Sequence, residues 1–341
     1  MRTSDFDYEL PRDLIAQTPL QQRDASRLMV LHRADGAIEH RSFGDIADYL
    51  RPGDLLVAND SRVIPARLCG HKETGGKVEV LLVSRKAEGL WETLVQPGKG
   101  VRPGMRIAFE RGLVGDVVER TEAGGRLIRF NGTAEVEAAL EAVGAMPLPP
   151  YIHERLQDPE RYQTVYARVK GSIAAPTAGL HFTPDLIARL EGMGVGFVFV
   201  TLHVGLDTFR PVQEEDPAYH PMHSEHCELP PATAALINAT KQSGGRVVAV
   251  GTTAVRVLET AGQRSQAGGT EPFCDATRLF IRPGHRFRLV DAMITNFHLP
   301  RSTLLMLVSA FAGRETILRA YAEAVSNSYR FYSFGDAMLI I

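Results

Sequence analysis

The chain has 341 residues, of which 44% are hydrophobic and 23% charged. That composition fits a globular protein able to bury a sizeable core in about two domains. A formal charge of -2 excludes a uniformly basic nucleic-acid binder, so any such surface must be local.

Cys69, Cys227 and Cys274 form neither a CxxC pair nor a disulfide framework, and read as reduced thiols in a cytoplasmic protein. The acidic start lacks the apolar core of a signal peptide. Leu304-Leu-Met-Leu-Val-Ser-Ala-Phe-Ala312 is too short to span a membrane and reads as a buried helix.

In chain order, Pro11 predicts a helix over 11–16. Leu28–His32 and Ala37–Arg41 predict a hairpin around Asp35-Gly36. A short helix from Phe43 to Leu50 stops at Pro52-Gly53, and Leu55–Ala58 reads as a buried strand running into Asn59-Asp60-Ser61-Arg62. Six short strand candidates then begin at Arg67, Lys77, Leu90, Met105, Leu113 and Arg126, separated by Gly- and Pro-rich turns. Such spacing predicts a small antiparallel β-barrel or sandwich ending near the linker Pro147-Leu-Pro-Pro150.

Beyond residue 180 the pattern alternates. Thr183 caps a helix, Val195–Leu202 is a strand, Pro231 opens a helix, Arg246–Val250 is a strand, and a helix begins at Thr252. The fold class expected is therefore α/β, a mainly parallel sheet covered by helices with an inserted antiparallel barrel. The expected domains are 1–60 with 150–341, and an insert over 61–149. Gln263–Thr270 reads as a flexible loop. Residues 51–130 carry fourteen basic against ten acidic side chains, a local excess suited to phosphate.

Val247-Val-Ala-Val-Gly251-Thr-Thr-Ala-Val-Arg256 is a strand–turn–helix. Gly251 allows a close turn, the helix start offers free N–H groups to an anion, and Thr252, Thr253 and Arg256 add polar contacts. It is not a GxGxxG fingerprint, so no dinucleotide is indicated. Thr177 and Gly179 precede His181 in a small-residue loop. His203 and Gly205 follow a strand, and Asn296 and His298 sit beside another apolar segment. Each histidine is a proton-transfer candidate, with Asp60 and Asp336 as carboxylate alternatives. The aromatic run Tyr329–Met338 reads either as a base-stacking face or as a buried terminal strand. His220-Pro-Met-His223-Ser-Glu-His226-Cys227 contains zinc-ligand types, but its spacing is no standard site and no metal is expected.

Asp5–Pro11, Asn59–Arg67, Tyr162–Tyr166, Ala174–Phe182, Leu202–Gly205, Val250–Thr253, Thr295–Pro300 and Tyr329–Met338 stand in order along the chain. In these blocks it resembles the S-adenosylmethionine:tRNA ribosyltransferase-isomerase family of queuosine biosynthesis. Small departures fall at Ser61, Asp207 and Phe334; Asp207 would bring a negative charge near a proposed site.

The resemblance implies transfer and isomerisation of the ribosyl part of S-adenosylmethionine onto 7-aminomethyl-7-deazaguanine at the tRNA wobble position. Epoxyqueuosine forms, and adenine and methionine leave. S-adenosylmethionine is then a consumed substrate, with no separate cofactor. Such chemistry needs a proton acceptor beside the sulfonium, an acid for departing adenine, a site for the methionyl carboxylate and phosphate contacts for RNA. The expected substrate contacts are Thr177, Gly179, Gly205, Gly251, Thr252, Thr253, Arg256 and Asn296, with Gly251–Thr253 and Arg256 on the methionyl carboxylate or another substrate anion. Arg62, Arg67, Lys72 and Lys77 are the tRNA-phosphate candidates. No obligatory protein partner and no membrane are inferred. From the residues alone, an S-adenosylmethionine methyltransferase and a non-catalytic RNA-binding protein stand as alternatives.

Overall fold

The computed structural model describes all residues except 122–123, 132–135, 155, 206–211, 223 and 266–268, and the side chains of 136–137. Asp207, His223 and the middle of the Gln263–Thr270 loop lie outside the described residues. The chain divides into two compact units. The larger holds Met1–Arg62, Pro150–Val169 and Ala175–Ile341; the smaller holds Val63–Pro149 and Lys170–Ala174.

The strands before the barrel are β1 (Arg27–Leu31), β2 (Ile38–Ser42), β3 (Leu55–Asn59) and β4 (Ser61–Val63). The barrel strands are β5 (Arg67–Lys72), β6 (Lys77–Ala87), β7 (Leu90–Gln96), β8 (Arg106–Phe109), β9 (Val114–Arg120) and β10 (Arg126–Asn131). Helix α1 (Val136–Val143), β11 (Val169–Ser172), α2 (Pro184–Gly192), β12 (Gly196–Leu202), β13 (Glu225–Leu229) and α3 (Pro231–Gln242) follow. The chain ends through β14 (Val247–Val250), α4 (Thr252–Arg264), β15 (Phe273–Thr277), β16 (Ala292–Asn296), α5 (Thr303–Ala312), α6 (Arg314–Ser326) and β17 (Ala337–Ile340).

The expected fold class is borne out. Nine strands form one sheet in the order β15-β13-β12-β3-β14-β16-β17-β1-β2, and β5–β10 close into a six-stranded antiparallel barrel. At the sheet's centre β12, β3, β14 and β16 run parallel. Their sequences are almost wholly apolar because helices and loops bury them. The outer neighbours mix directions: β13 and β15 are antiparallel additions at one end, and β17 runs antiparallel to β16 at the other. β11 pairs separately with β4.

Within the barrel, alternate residues such as Val78, Val80 and Leu82 on β6 point inward and are buried. Gly70 and Gly115 leave room for aromatic packing, since a Cβ on either would sit within 2.8 Å of a neighbouring ring or side chain.

Two local expectations are corrected. The helix at Pro11–Ala16 is only a three-residue 3-10 turn, Arg12–Leu14. Beyond it, Ile15 forms a β-bridge with Phe331, a tertiary contact that outweighs helix propensity. The Phe43 helix is 3-10 over Phe43–Tyr49, anchored by buried Phe43, Ile46 and Ala47. The β1–β2 hairpin, the Thr183 cap and the buried helix α5 stand where the sequence predicts.

Candidate active site

Parallel strands place functional loops at their carboxyl ends, where adjacent chains diverge. In the larger unit β3 ends at Asn59, β12 at Leu202, β14 at Val250 and β16 at Asn296. A cleft opens at this edge. Its lining includes Thr177, Val204, Gly251, Thr252, Thr253, Asn296, His298, Tyr151, Tyr332 and Ser333.

Gly251 is in the left-handed region, φ 91°, and its N–H donates to the Ile294 carbonyl at 2.8 Å. A side chain there would strain the turn from β14 into α4. The first bond of α4 returns from the Val255 N–H to the Gly251 carbonyl, 3.2 Å. The N–H groups of the first turn lack carbonyl acceptors within the helix, and the positive end of its dipole meets the cleft. The Thr253 hydroxyl oxygen is buried without a protein partner.

A polar chain supports the opposite wall. Thr177 donates its hydroxyl to Asn296 Oδ1 at 3.2 Å. Asn296 Nδ2 donates to the Tyr332 carbonyl and to His181 Nε2, each at 3.2 Å. His181 Nδ1 meets the Ser26 hydroxyl at 2.7 Å, and the ring stacks on Phe43. Burial, reinforced by the positive charges of Arg23 and Arg330, lowers the His181 pKa to about 3. His181 is thus a neutral imidazole with both nitrogens engaged. It orients Asn296 and does not line the cleft.

His298 does line the cleft. Its Nε2 lies 2.7 Å from the Thr295 hydroxyl, and its backbone N–H donates to the Tyr321 hydroxyl at 2.9 Å. Burial lowers its pKa to about 3 as well. His203 follows β12 and stacks against His226 with centroids 5.8 Å apart. Burial and the His226 charge lower its pKa against the opposing pull of Asp60, and its Nδ1 is buried without a partner. His203 is outside the cleft lining.

The carboxylate candidates are both committed elsewhere. Asp60 accepts from the Thr201 hydroxyl at 2.7 Å and from Arg168 at 2.6 Å. Asp336 accepts from the backbone N–H groups of Arg27 and Arg330, at 3.0 and 2.8 Å, and from the Arg27 guanidinium. It fastens the chain just before β17.

Arg256 is buried one turn into α4 and ion-paired with Glu225. Its Nε donates to the Leu279 carbonyl at 3.1 Å. Arg256, expected on a substrate anion, is here paired with Glu225 and is not in the cleft lining. Glu225 also accepts from the Gly205 N–H at 2.8 Å, so Gly205 is held by its backbone. Gly179 is required by packing, since a Cβ would come within 2.0 Å of the Tyr166 hydroxyl.

Among the tRNA candidates, Arg62 pairs with Glu160. Arg67 lies 3.7 Å from Glu79 on the barrel. Lys72 and Lys77 stand at the facing ends of β5 and β6. The histidine–cysteine cluster is dispersed by its contacts. His220 pairs with Glu214 at 2.7 Å, Glu225 with Arg256, and Cys227 is buried in β13. Among the described residues no group of three potential metal ligands is found.

Sequence reasoning missed Tyr151, which lies just past the proline-rich linker. Its ring packs 4.7 Å from that of Tyr332, and its hydroxyl lies 2.7 Å from that of Ser333. Tyr332 has φ 71°, a strained conformation for an aromatic residue. The Phe297 carbonyl holds its N–H, and Asn296 holds its carbonyl. The one sequence signal for these residues is the Tyr329–Met338 aromatic run.

Similarity to known proteins extends along the whole chain. A family model described as queuosine biosynthesis protein matches residues 3–340. The S-adenosylmethionine:tRNA ribosyltransferase-isomerase of Symbiobacterium thermophilum is 62% identical, with 100% of both chains covered. The protein of the same name from Moorella thermoacetica is 57% identical, again over 100% of both chains. A crystal structure of S-adenosylmethionine tRNA ribosyltransferase from Thermotoga maritima is 43% identical, with a TM-score of 0.58 over 99% of this chain and 100% of that one. The chain belongs to the S-adenosylmethionine:tRNA ribosyltransferase-isomerase family.

Proposed function

We propose that this cytoplasmic enzyme transfers and isomerises the ribosyl moiety of S-adenosylmethionine onto 7-aminomethyl-7-deazaguanine in the tRNA wobble position. Epoxyqueuosine-tRNA is the product, with release of adenine and methionine. S-adenosylmethionine is consumed, and no separate cofactor takes part. Membership of the family supports the reading, and the observation that carries it is the character of the cleft. Among the described residues the lining has no lysine, arginine or carboxylate side chain, yet it has a helix N-terminus on one side and aromatic and amide groups on the other. A cationic sulfonium meets no fixed positive side chain there, while the methionyl carboxylate has the first turn of α4 and the Thr253 hydroxyl.

Among the described residues His298 is the one imidazole in the lining, and its burial keeps the ring neutral and able to accept a proton, so proton transfer in the cleft is assigned to it. The Thr295 hydroxyl orients the ring. Being neutral, the ring does not repel the sulfonium. Asn296, positioned by His181 and Thr177, supplies a fixed amide. Asp60, Asp336 and His203 act through structure. Arg62, Arg67, Lys72 and Lys77 are assigned to tRNA phosphates.

The test incubates the purified enzyme with S-adenosylmethionine and precursor-modified tRNA, followed by mass analysis. Adenine, methionine and a tRNA heavier by the isomerised sugar are expected. S-adenosylhomocysteine as product would establish a methyltransferase instead, and binding without turnover would leave only an RNA-binding protein.

A further inference from the structure

The stretch Thr277–Val290 contains Arg278, Arg282, Arg286 and Arg288 and no acidic residue. It joins β15 to β16. β15 is antiparallel to β13, and β13 to β12, so β15 runs in the same direction as β12. The connection therefore leaves the sheet at the edge where the cleft opens.

From there it descends alongside α4. The Leu279 carbonyl accepts from Arg256 in the first turns of the helix. Further along, Glu259 accepts the backbone N–H groups of Arg288, Leu289 and Val290 at 2.9–3.1 Å. Arg288 itself donates to the Gly262 carbonyl at 2.8 Å. The Asp291 N–H then donates to the Val247 carbonyl at the opposite edge of the sheet, 2.9 Å away. A thirteen-residue helix spans roughly 20 Å, a length along which several successive phosphates of a nucleic-acid strand can lie.

Arg278 and Arg286 are exposed and Arg282 is half-buried. Among the described residues none of the three makes a side-chain hydrogen bond or an ion pair. Four acids of the neighbouring elements are already committed. Glu259 is buried under backbone donors and His285, Asp275 pairs with Arg264, Asp291 with Lys241, and Glu214 with His220. Phe280 and Phe287 stand half-buried between the arginines, with the Arg282 guanidinium 5.9 Å from the Phe280 ring. Unpaired guanidinium groups interleaved with partly exposed rings suit a nucleic-acid backbone with splayed bases.

We propose that Arg278, Arg282 and Arg286 form a track for the RNA strand that enters the cleft, binding consecutive phosphates of the tRNA substrate. This rests on the reading of tRNA as substrate and adds to it a second phosphate-binding surface, on the larger unit, besides the barrel residues.

The experiment compares wild type, a triple Arg→Gln variant at these positions and a triple Arg→Lys variant. Precursor-modified tRNA is titrated at several salt concentrations, S-adenosylmethionine binding is measured separately, and product is assayed for the wild type. For Arg→Gln, Kd for tRNA should rise roughly tenfold or more and the log–log salt slope should fall by about two. S-adenosylmethionine affinity and thermal midpoint should be unchanged. Arg→Lys should keep most of the affinity, because charge and not side-chain shape is the operative property. An unchanged Kd and slope in Arg→Gln, with a wild type that makes product, overturns the track and leaves the activity standing. Equal loss in Arg→Lys also overturns it, since lost packing would then be the cause. A wild type that binds no tRNA overturns both readings.

Discussion

The sharpest residue-scale feature of the cleft is a hydroxyl that bonds nothing in the protein. Thr253 Oγ1 is buried and unpartnered at the start of α4. An unsatisfied buried polar atom costs free energy, and a bound carboxylate would relieve that cost. Thr253→Val keeps the shape and removes the hydroxyl. Its Kd for S-adenosylmethionine should rise about 10–100-fold, the range for a hydrogen bond to a charged group, with thermal stability equal or higher. Calorimetric titration and a melting curve decide this; an unchanged Kd would remove Thr253 from the site. The two buried imidazoles give a second prediction. His181 and His298 have folded pKa values of about 3, against an ordinary 6.5. As pH falls below 6.5 the unfolded chain takes up protons that the folded rings refuse until about pH 3. Their stabilising effect is complete above 6.5 and declines as pH falls, by up to about 1.4 kcal/mol per pH unit for each ring. Urea unfolding between pH 6.5 and 4.5 should show this loss, and His298→Gln should flatten it. A pH-independent wild type would mean that the rings are reached by water. At this scale the sequence marked loops that reach the cleft, but not which of their side chains face it. His181, His203 and His298 look alike in sequence because each sits in a small-residue turn. Only the packing of Phe43 on His181 and of His226 on His203 separates them from the cleft-lining His298.

Among the elements, α4 matters most, since its N-terminus forms one wall of the cleft. Two buried carboxylates fix it. Glu225 on β13 pairs with Arg256 near the first turn, and Glu259 in the helix collects the N–H groups of the 288–290 segment. Glu225→Gln would leave the Arg256 charge buried and uncompensated, a change that costs about 3–5 kcal/mol in comparable buried pairs. Adding Arg256→Met to that variant should recover part of the loss, because the lone charge disappears with it. Urea unfolding of the single and double variants measures both, and a single-variant loss below about 1 kcal/mol would show the pair to be solvated. β13 also shows why some elements were hard to read. Glu225-His-Cys-Glu-Leu229 alternates inward and outward, but one inward position is Glu225, the partner of Arg256. A strand whose core face includes a charge lacks the usual hydrophobic signature, and its partner strand β15 is mostly exposed along the sheet edge. By contrast α6 carries a plain helical stripe of Ile317, Ala320, Tyr321 and Ala324 that sequence reading nevertheless passed over. The central strands β3, β12 and β14 were legible because they are short, continuous and apolar.

For the whole molecule, local periodicity identified the barrel strands but could not supply the order of the large sheet. β3 neighbours β12 and β14 although far from both in sequence, and the C-terminal β17 inserts between β16 and the N-terminal β1. Those pairings are set by long-range burial, as in the contact of Leu28 with Ala337 across β1 and β17, which no local window contains. Charge, unlike strand order, could be read along the chain, and it makes the last prediction. The formal charge of -2 rules out a general attraction for RNA, so binding must come from local groups. Lys72 and Lys77 lie on neighbouring strands of the barrel with a Gly-rich turn between them, and among the described residues neither forms an ion pair. Counterions displaced at such sites set the salt dependence of binding, at close to one unit of log–log slope per phosphate contact. Lys72→Gln with Lys77→Gln should therefore lower the slope for tRNA by about one to two and weaken binding at low salt. Affinity for S-adenosylmethionine should not change, since both lysines belong to the smaller unit and the cleft is lined by residues of the larger one. If the slope is the same in variant and wild type, these lysines do not touch RNA, and the arginines between β15 and β16 become the main phosphate contacts.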